Sequence, residues 1–371
     1  MPLYLTDDQA MLRETAREFM AGEGNIAAQL RHWRDIGCKD GFGHGLWKQL
    51  AELGFTGLRI PEDQGGLGLG HVEAGIVMEE IGRNLTPSPF LITAIAVVEA
   101  LKGTPHGARW FPGILAGETV AALAVDEGPK HRPEAIAMRA ERSGNGFRLS
   151  GAKQFVVQGA SADLILVAAR AEEGLTLFAV EKAAKGLEVE GVRLADSSIG
   201  ARMVFNDVEV DADAVVGEVG QGEGVLRRVL DAGRAGAASE MVGLGGAAMA
   251  MTVDYLKQRK QFGKLIGEFQ ALQHRAAHLY SELEIARSAA LKAQQLLDEG
   301  SPEAEAMVAV AKAKAGRAST LAVQEGVQMH GGIGMTDEYD IGLYMKRDRV
   351  LNELFGDPNY QTERLARMRG Y

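Results

Sequence analysis

The sequence predicts an α+β chain of three consecutive domains: a helical domain over 1–118, a central β-sandwich or barrel over 119–222, and a helical bundle over 223–371. Three observations carry this. At 371 residues the chain is too long for one ordinary core. Apolar residues recur at helical spacing in the first and last thirds. Between them, short runs of Val, Ile, Leu and Phe alternate with turn residues, the pattern of strands in a small all-β unit.

In chain order, Thr6 or Asp7 caps a first helix along which Leu12, Ala16, Phe19 and Met20 align. A second helix is expected near 46–53, followed by a connection over 54–68 that Gly and Pro punctuate every few residues. Helical periodicity resumes over 72–81 and 92–101. The character changes at Gly117-Glu118-Thr119. Strands are then expected at 121–125, 147–155, 164–169, 175–180 and 203–210, with turn signals such as Gly144-Asn145-Gly146 between them. The run 217–224 closes this domain as a linker.

Beyond it, helices are expected over 225–257 and 266–297, and a third is opened by Ser301 as cap with Pro302 in its first turn and ends at His330-Gly331-Gly332. The first of them holds Gly233, Gly236, Gly243, Gly245 and Gly246. Each interior glycine costs roughly 1 kcal/mol against alanine, so close helix or ligand approach should compensate. Three or four long antiparallel helices with short connections make a bundle.

Composition narrows the function classes. The formal charge is −10, from 40 basic and 50 acidic residues, with no long basic run, so neither nucleic acid nor an anionic membrane is an expected partner. The single Cys38 excludes an intrachain disulfide framework. The first residues lack a signal peptide's basic and apolar regions, and no run of about 18 apolar residues occurs. A soluble, unprocessed, cytoplasmic protein is expected.

The most informative stretch is 255–270, Tyr-Leu-Lys-Gln-Arg-Lys-Gln-Phe-Gly-Lys-Leu-Ile-Gly-Glu-Phe-Gln, which joins two long helices. Arg259 and Gln261 precede Phe262-Gly263, so a guanidinium fork and an amide are presented at a helix break, which suits an anionic, flat ligand. An isolated Arg-x-Gln would more often be an ordinary solvated helix end. The other glycine-rich runs fit neither Gly-x-Gly-x-x-Gly nor a P-loop. His274 and His278 lie one turn apart, but Arg275 stands where a zincin needs Glu, so a structural, partly exposed pair is expected and no metal site. Neither Cys38 nor any serine has a nucleophile motif around it.

The second stretch is 328–340, beginning Gln328-Met329-His330-Gly331-Gly332, followed by Arg347-Asp348. A helix ending in Gly-Gly permits close backbone approach. Together, the Leu-Thr-x-x-Gln start, Ile60-Pro61-Glu62, Gly65-Gly66 and these two stretches resemble the acyl-CoA dehydrogenases, in matching order along the whole chain. The resemblance implies an N-terminal helical domain, a central β-domain and a C-terminal four-helix bundle, assembled as dimers or tetramers with FAD. It assigns Arg259, Gln261, Phe262, Phe269 and Gln270 to the flavin nucleotide. Gln328, Met329, His330, Gly331 and Gly332 would reach FAD held mainly by a neighbouring subunit. Asp231 and Arg234 fall where the family contacts acyl-CoA.

The chain also departs from the family. After Arg347-Asp348 the family commonly reads Tyr-Glu-Gly-Thr, whereas here Phe355-Gly356-Asp357-Pro358 puts Gly356 where the catalytic Glu belongs; the alternative site before the helical Arg is Gly233. Two substitutes are open. Asp357 is one residue out of register, and Glu240 follows Gly233 by seven residues, about 10 Å along the same helix face at roughly 1.5 Å per residue. The Thr-Glu-Pro turn becomes Asp126-Glu127-Gly128-Pro129, and the Trp-Ile-Thr/Ser flavin contact becomes Phe155-Val156-Val157, in which Val157 offers no hydroxyl. Such losses resemble small subunits of pimeloyl-CoA-type and steroid side-chain dehydrogenases.

The expected function is therefore FAD-dependent oxidation of an acyl-CoA to the trans-2-enoyl-CoA, with electrons passed to an electron-transfer flavoprotein. The alternatives are a catalytically reduced subunit that completes a homologue's FAD site, and a flavin oxidase or monooxygenase of the same fold. The chain is expected to assemble with itself or with a homologous subunit.

Overall fold

A computed structural model describes residues 3–371. The chain opens with α1 (Asp7–Gly22), capped as a reciprocal box: the Gln9 N–H donates to the Thr6 hydroxyl at 3.3 Å and the Thr6 N–H to the Gln9 side chain at 3.0 Å. There follow α2 (His32–Asp35), α3 (His44–Glu52) and α4 (His71–Asn84), a stretch of wide π-type turns at Leu91–Val97 leading into α5 (Val98–Leu101), and α6 (Pro105–Leu115). The strands are β1 (Ala121–Ala124), β2 (Arg139–Ser143), β3 (Gly146–Val157), β4 (Leu164–Ala171), β5 (Gly174–Glu181), β6 (Leu187–Arg193), β7 (Ile199–Val210) and β8 (Val215–Val216). Then come α7 (Gly222–Gln258), a hairpin of β9 (Lys260–Gln261) and β10 (Lys264–Leu265), α8 (Gln270–Asp298), α9 (Ala304–His330), α10 (Ile341–Glu353) and α11 (Pro358–Met368).

These elements sort into two compact units. One gathers the chain up to Leu30, His71–Thr86 and Arg234–Tyr371; the other gathers Arg31–Gly70 and Pro87–Gly233. The helical, β, helical order runs as the sequence predicts, and within it α1 and α4 group with the C-terminal helices. Asp298, the last residue of α8, shows why. Its carboxylate accepts the His71 N–H at 2.6 Å and the Val72 N–H at 3.2 Å, so a residue distant in sequence satisfies the first donors of α4.

In the helical unit Gly243 of α7 does what its cost demands. A Cβ at Gly243 would lie 1.8 Å from the Glu79 carbonyl oxygen on α4, and one at Gly82 would lie 2.0 Å from the Glu240 carbonyl oxygen on α7. The two helices therefore cross backbone to backbone. On α10, the Tyr344 hydroxyl donates to the Arg83 carbonyl at 2.7 Å and ties that helix to α4.

The other unit holds one eight-stranded mixed sheet in the order β6-β7-β3-β2-β4-β5-β8, with β1 pairing β4 in parallel. Its core includes Phe147, Leu149, Val167, Phe178, Met203 and Phe205, with Phe147 and Phe178 edge-on at 5.2 Å. Strands β2 and β6 were not among those expected, because most of their residues are exposed; they belong through backbone pairing. Glu188, Glu190 and Arg193 put charge on β6, an edge strand. The start of α9 also differs from expectation. The Ser301 hydroxyl accepts the Glu303 N–H at 3.3 Å inside a turn, and the helix begins only at Ala304. Among the described residues no helix is long and apolar enough to cross a membrane.

Candidate functional site

The break between α7 and α8 is a two-strand hairpin. Phe262 (φ 54°) and Gly263 (φ 82°) both take positive φ at its tip, which matches the right-handed twist of such short strands. Arg259, Lys260, Gln261, Lys264 and Gln270 are exposed, so the cations are carried on a projecting ribbon. Phe262 is 91% exposed, lies edge-on to Phe269 at 6.2 Å, and Lys264 Nζ sits 4.2 Å from the Phe269 ring centroid.

The second stretch starts from the end of α9. Gly331 takes φ 64°, and a Cβ at Gly331 or Gly332 would meet nothing within 4 Å, so this backbone is open to a partner. Gln328 is exposed and Met329 is buried. His330 is buried, its Nδ1–H donates to the Gly326 carbonyl at 2.6 Å, and burial pushes its pKa down, which keeps the ring neutral near pH 7. Nε2 of His330 has no hydrogen-bond partner among the described residues. The imidazole packs between Tyr255 (4.5 Å) and Tyr339 (4.7 Å). Because Tyr255 stands one turn before Arg259, this stack joins the two informative stretches. Projecting cations, an exposed aromatic ring, open glycine backbone and an orphaned ring nitrogen together fit the phosphates and flat rings of a dinucleotide such as FAD.

In the β unit, Phe155 takes φ 53° and Gln158 φ 56°, and the β3–β7 register shifts between Lys153 and Val156. The backbone is thus held in a bulge where the sequence expects flavin contacts. Phe155 is half-buried, whereas Val157 is buried. The neighbouring acidic turn is internally engaged: Glu127 accepts the Ala137 and Met138 N–H groups and pairs with the fully buried Lys153 at 2.8 Å, while Asp126 lies 3.0 Å from His131 Nδ1. Burial lowers the Lys153 pKa against the pull of Glu127.

The two carboxylates expected as candidate bases have other partners. Glu240 is 2% exposed, and one of its oxygens accepts Arg347 Nε and Nη2 at 2.7 Å each. Asp357 caps α11, accepting the Asn359 N–H at 3.0 Å and the Tyr360 N–H at 2.8 Å. His274 and His278 are exposed on α8.

Between Glu240 and Asp357 in sequence lies a feature that motif reading missed. Phe355 (φ 61°) and Gly356 (φ 98°) form a tight turn whose carbonyls are held by buried donors. Arg234 Nε donates to Phe355 O at 3.1 Å, Gln361 Nε2 to the same oxygen at 2.7 Å, and Lys312 Nζ to Gly356 O at 3.3 Å and Leu351 O at 2.9 Å. A Cβ at Gly356 would lie 2.3 Å from Tyr360 Cδ1, so the conformation leaves no room for a side chain. Arg234, expected to meet acyl-CoA, has its Nε committed to this turn, and its Cζ is 5.9 Å from the Tyr360 ring centroid; Asp231 is buried. Lys312 is fully buried, and burial with the nearby Arg234 charge brings its pKa down to about 7 against the pull of Asp348, Asp357 and Glu353. The available signal was a lysine flanked by alanines, Ala311-Lys312-Ala313, on an otherwise apolar helix face.

The sequence matches the acyl-CoA dehydrogenase N-terminal domain over residues 6–118, the middle domain over 126–208 and the C-terminal domain over 220–369. It is 31% identical to a mitochondrial isovaleryl-CoA dehydrogenase of Solanum tuberosum over 95% of this chain and 88% of that protein. It is equally identical to acyl-CoA dehydrogenase FadE12 of Mycobacterium tuberculosis, over 93% and 91%. Among solved structures, butyryl-CoA dehydrogenase from Megasphaera elsdenii superposes with a TM-score of 0.90 at 26% identity, covering all of both chains. A variant of the Tcur3481-Tcur3483 steroid acyl-CoA dehydrogenase also gives 0.90, at 28% identity and 98% coverage of both. With relatives above 30% identity along nearly its whole length, the chain belongs to the acyl-CoA dehydrogenase family.

Proposed function

We propose that the protein takes part in FAD-dependent α,β-dehydrogenation of an acyl-CoA thioester to the 2-enoyl-CoA, with electrons delivered to an electron-transfer flavoprotein, as a subunit of the pimeloyl-CoA or steroid side-chain type. The observation that carries this is the Tyr255–His330 stack, which unites the cationic hairpin with the open Gly331-Gly332 backbone. Arg259 and Gln261 hold the nucleotide phosphates, Phe262, Phe269 and Gln270 approach its flat parts, and Gln328 to Gly332 reach the cofactor held mainly by a neighbouring subunit. Phe155 and Val157 are assigned to the flavin, and Asp231 and Arg234 to the acyl-CoA. FAD, when bound, supplies the acceptor for the hydride lost from the β-carbon. What the chain must add is a carboxylate for the weakly acidic α proton.

Here a second reading has its own support. Glu240 is ion-paired with Arg347, Asp357 is a helix cap, and Gly356 has no space for a side chain. These facts favour a subunit that completes an FAD site while a homologous chain supplies the base. Purified alone and with co-expressed homologues, the protein is tested by flavin content and by anaerobic bleaching with acyl-CoA. Flavin bound and bleached by the chain alone establishes the first reading; flavin acquired only on mixing establishes the second; none in either case overturns both. Under the first, Glu240→Gln should reduce bleaching at least a hundredfold with flavin retained; full activity in it and in Asp357→Asn removes both residues as bases.

A further inference from the structure

Lys153 of β3 is 0% exposed, yet its ammonium reaches two points of the turn after β1: the Val125 carbonyl at 3.0 Å and the Glu127 carboxylate at 2.8 Å. We propose that Lys153 is a positioning residue for the cofactor, locking that turn to β3 so that the adjoining bulge presents Phe155 to the flavin. This rests on the assignment of Phe155 to the flavin made above.

The position asks for charge, since Leu or Met would fill an interior volume without the cost of burying an ammonium. What the charge makes is a joint. Glu127 Oε1 accepts Lys153 Nζ and the Met138 N–H at 3.0 Å, and its Oε2 accepts the Ala137 N–H at 2.8 Å, so one carboxylate ties β3 and the approach to β2 to the turn. Burial opposes the ionisation of Glu127, but the Lys153 bond and the two backbone donors outweigh it and hold its pKa below the ordinary value, so the carboxylate is charged near pH 7. Next along β3, Gln154 donates its N–H to the Asp126 carbonyl at 2.7 Å and its side-chain amide to the Glu127 carbonyl at 3.2 Å. Asp126 fastens the far side of the turn through His131 Nδ1 at 3.0 Å and the Arg132 N–H at 3.3 Å.

These bonds fall where β3 loses register with β7. Lys153 pairs with Met203 and Val156 with Ala201, so Gln154 and Phe155 together stand opposite Arg202. Regular alternation would send Lys153 and Phe155 to the same interior face. With the extra residue, Lys153 and Val156 are the two that are fully buried, and Phe155 stays half-buried at φ 53°. A non-glycine residue at positive φ is strained and persists where its surroundings hold it. Here the bonded turn, anchored by Lys153 on one side of the bulge, supplies that hold.

The test titrates FAD into the flavin-free protein, alone or assembled with a homologue, and follows quenching of flavin fluorescence. Lys153→Met should weaken FAD binding at least tenfold and shift the visible flavin band. Glu127→Gln, which breaks the charge pair from its other side, should weaken binding severalfold. Phe178→Leu, which thins the core of the same unit at the Phe147 contact, should weaken it less than twofold and leave the band in place. In the wild type, FAD should slow hydrogen exchange at the Ala137, Met138 and Gln154 amides, a measurement that needs no variant. An unchanged affinity and band in Lys153→Met, an equal loss in Phe178→Leu, or exchange in the wild type that FAD leaves unaltered overturns the proposal. If no wild-type assembly binds FAD, the dehydrogenase reading falls and this inference with it, whereas normal FAD binding by Lys153→Met removes this inference alone.

Discussion

The hairpin at 259–265 and the turn at Phe355–Gly356 are both positive-φ turns beside a long helix, yet they are opposites. At the hairpin tip Phe262 is 91% exposed and a Cβ at Gly263 would meet nothing within 4 Å. At the other turn Phe355 is buried, its carbonyl takes two donors, and a Cβ at Gly356 would strike Tyr360. The first is a surface shaped for something else to cover. The second is finished interior, which the chain satisfies with its own groups. In this family member, the parts assigned to the cofactor are open and those expected to hold the base are closed.

The largest expected effect comes from forcing the closed turn open. Gly356→Glu puts a side chain into the Tyr360 ring and a non-glycine residue at φ 98°, and should destabilise the protein by about 3 kcal/mol or more without creating a base. Urea unfolding with an acyl-CoA assay checks both. A stable, active Gly356→Glu would show that the turn is adaptable and that only the side chain was missing.

Next comes the pH dependence of the same turn. Lys312 has a folded pKa of about 7, below its ordinary value near 10.4, so between these limits the unfolded chain holds the proton that the folded chain has released. Stability from this group therefore rises with pH above 7, by at most about 1.4 kcal/mol per unit, and its penalty is fully present below 7. The stability of the wild type minus that of Lys312→Met should climb between pH 7 and 9.5. A flat difference would mean that Lys312 stays charged in the folded turn.

How much of this was legible in the sequence follows the same division. A cap at Thr6 or Asp7, a helix end near 257, the end of α9 at His330 and a close approach along the glycines of α7 depend on local chemistry or spacing, and the structure has the cap at Thr6, the helix end at Gln258 and the close approach at Gly243. Strands β2 and β6 were missed because pairing, not burial, makes them strands. The Lys312, Arg234 and Gln361 clamp was missed because its three donors are far apart in sequence and meet only after the bundle folds. Gly356 was visible as an absent glutamate. That the space beside it is filled by Tyr360 was not.

A smaller effect separates capping from catalysis at Asp357. Asparagine caps a helix about as well, so Asp357→Asn should change stability by under about 0.5 kcal/mol, whereas Asp357→Ala should lose roughly 1 kcal/mol. If Asp357 acts only as a cap, flavin bleaching follows neither change. Loss of bleaching in Asp357→Asn at unchanged stability would restore it as a base.

The smallest stability effect belongs to the open side. Phe262→Ser removes a ring that touches little of its own chain, so unfolding of the isolated chain should shift by no more than about 0.5 kcal/mol. A ring that costs nothing to remove from the folded chain has no reason in that chain to be there, since exposed aromatic surface gains its free energy only when something covers it. Flavin content and oligomeric size should therefore both fall in this variant while urea unfolding of the separated chain does not move. If stability drops but flavin content holds, the hairpin serves its own fold, and the contrast with the Phe355–Gly356 turn disappears.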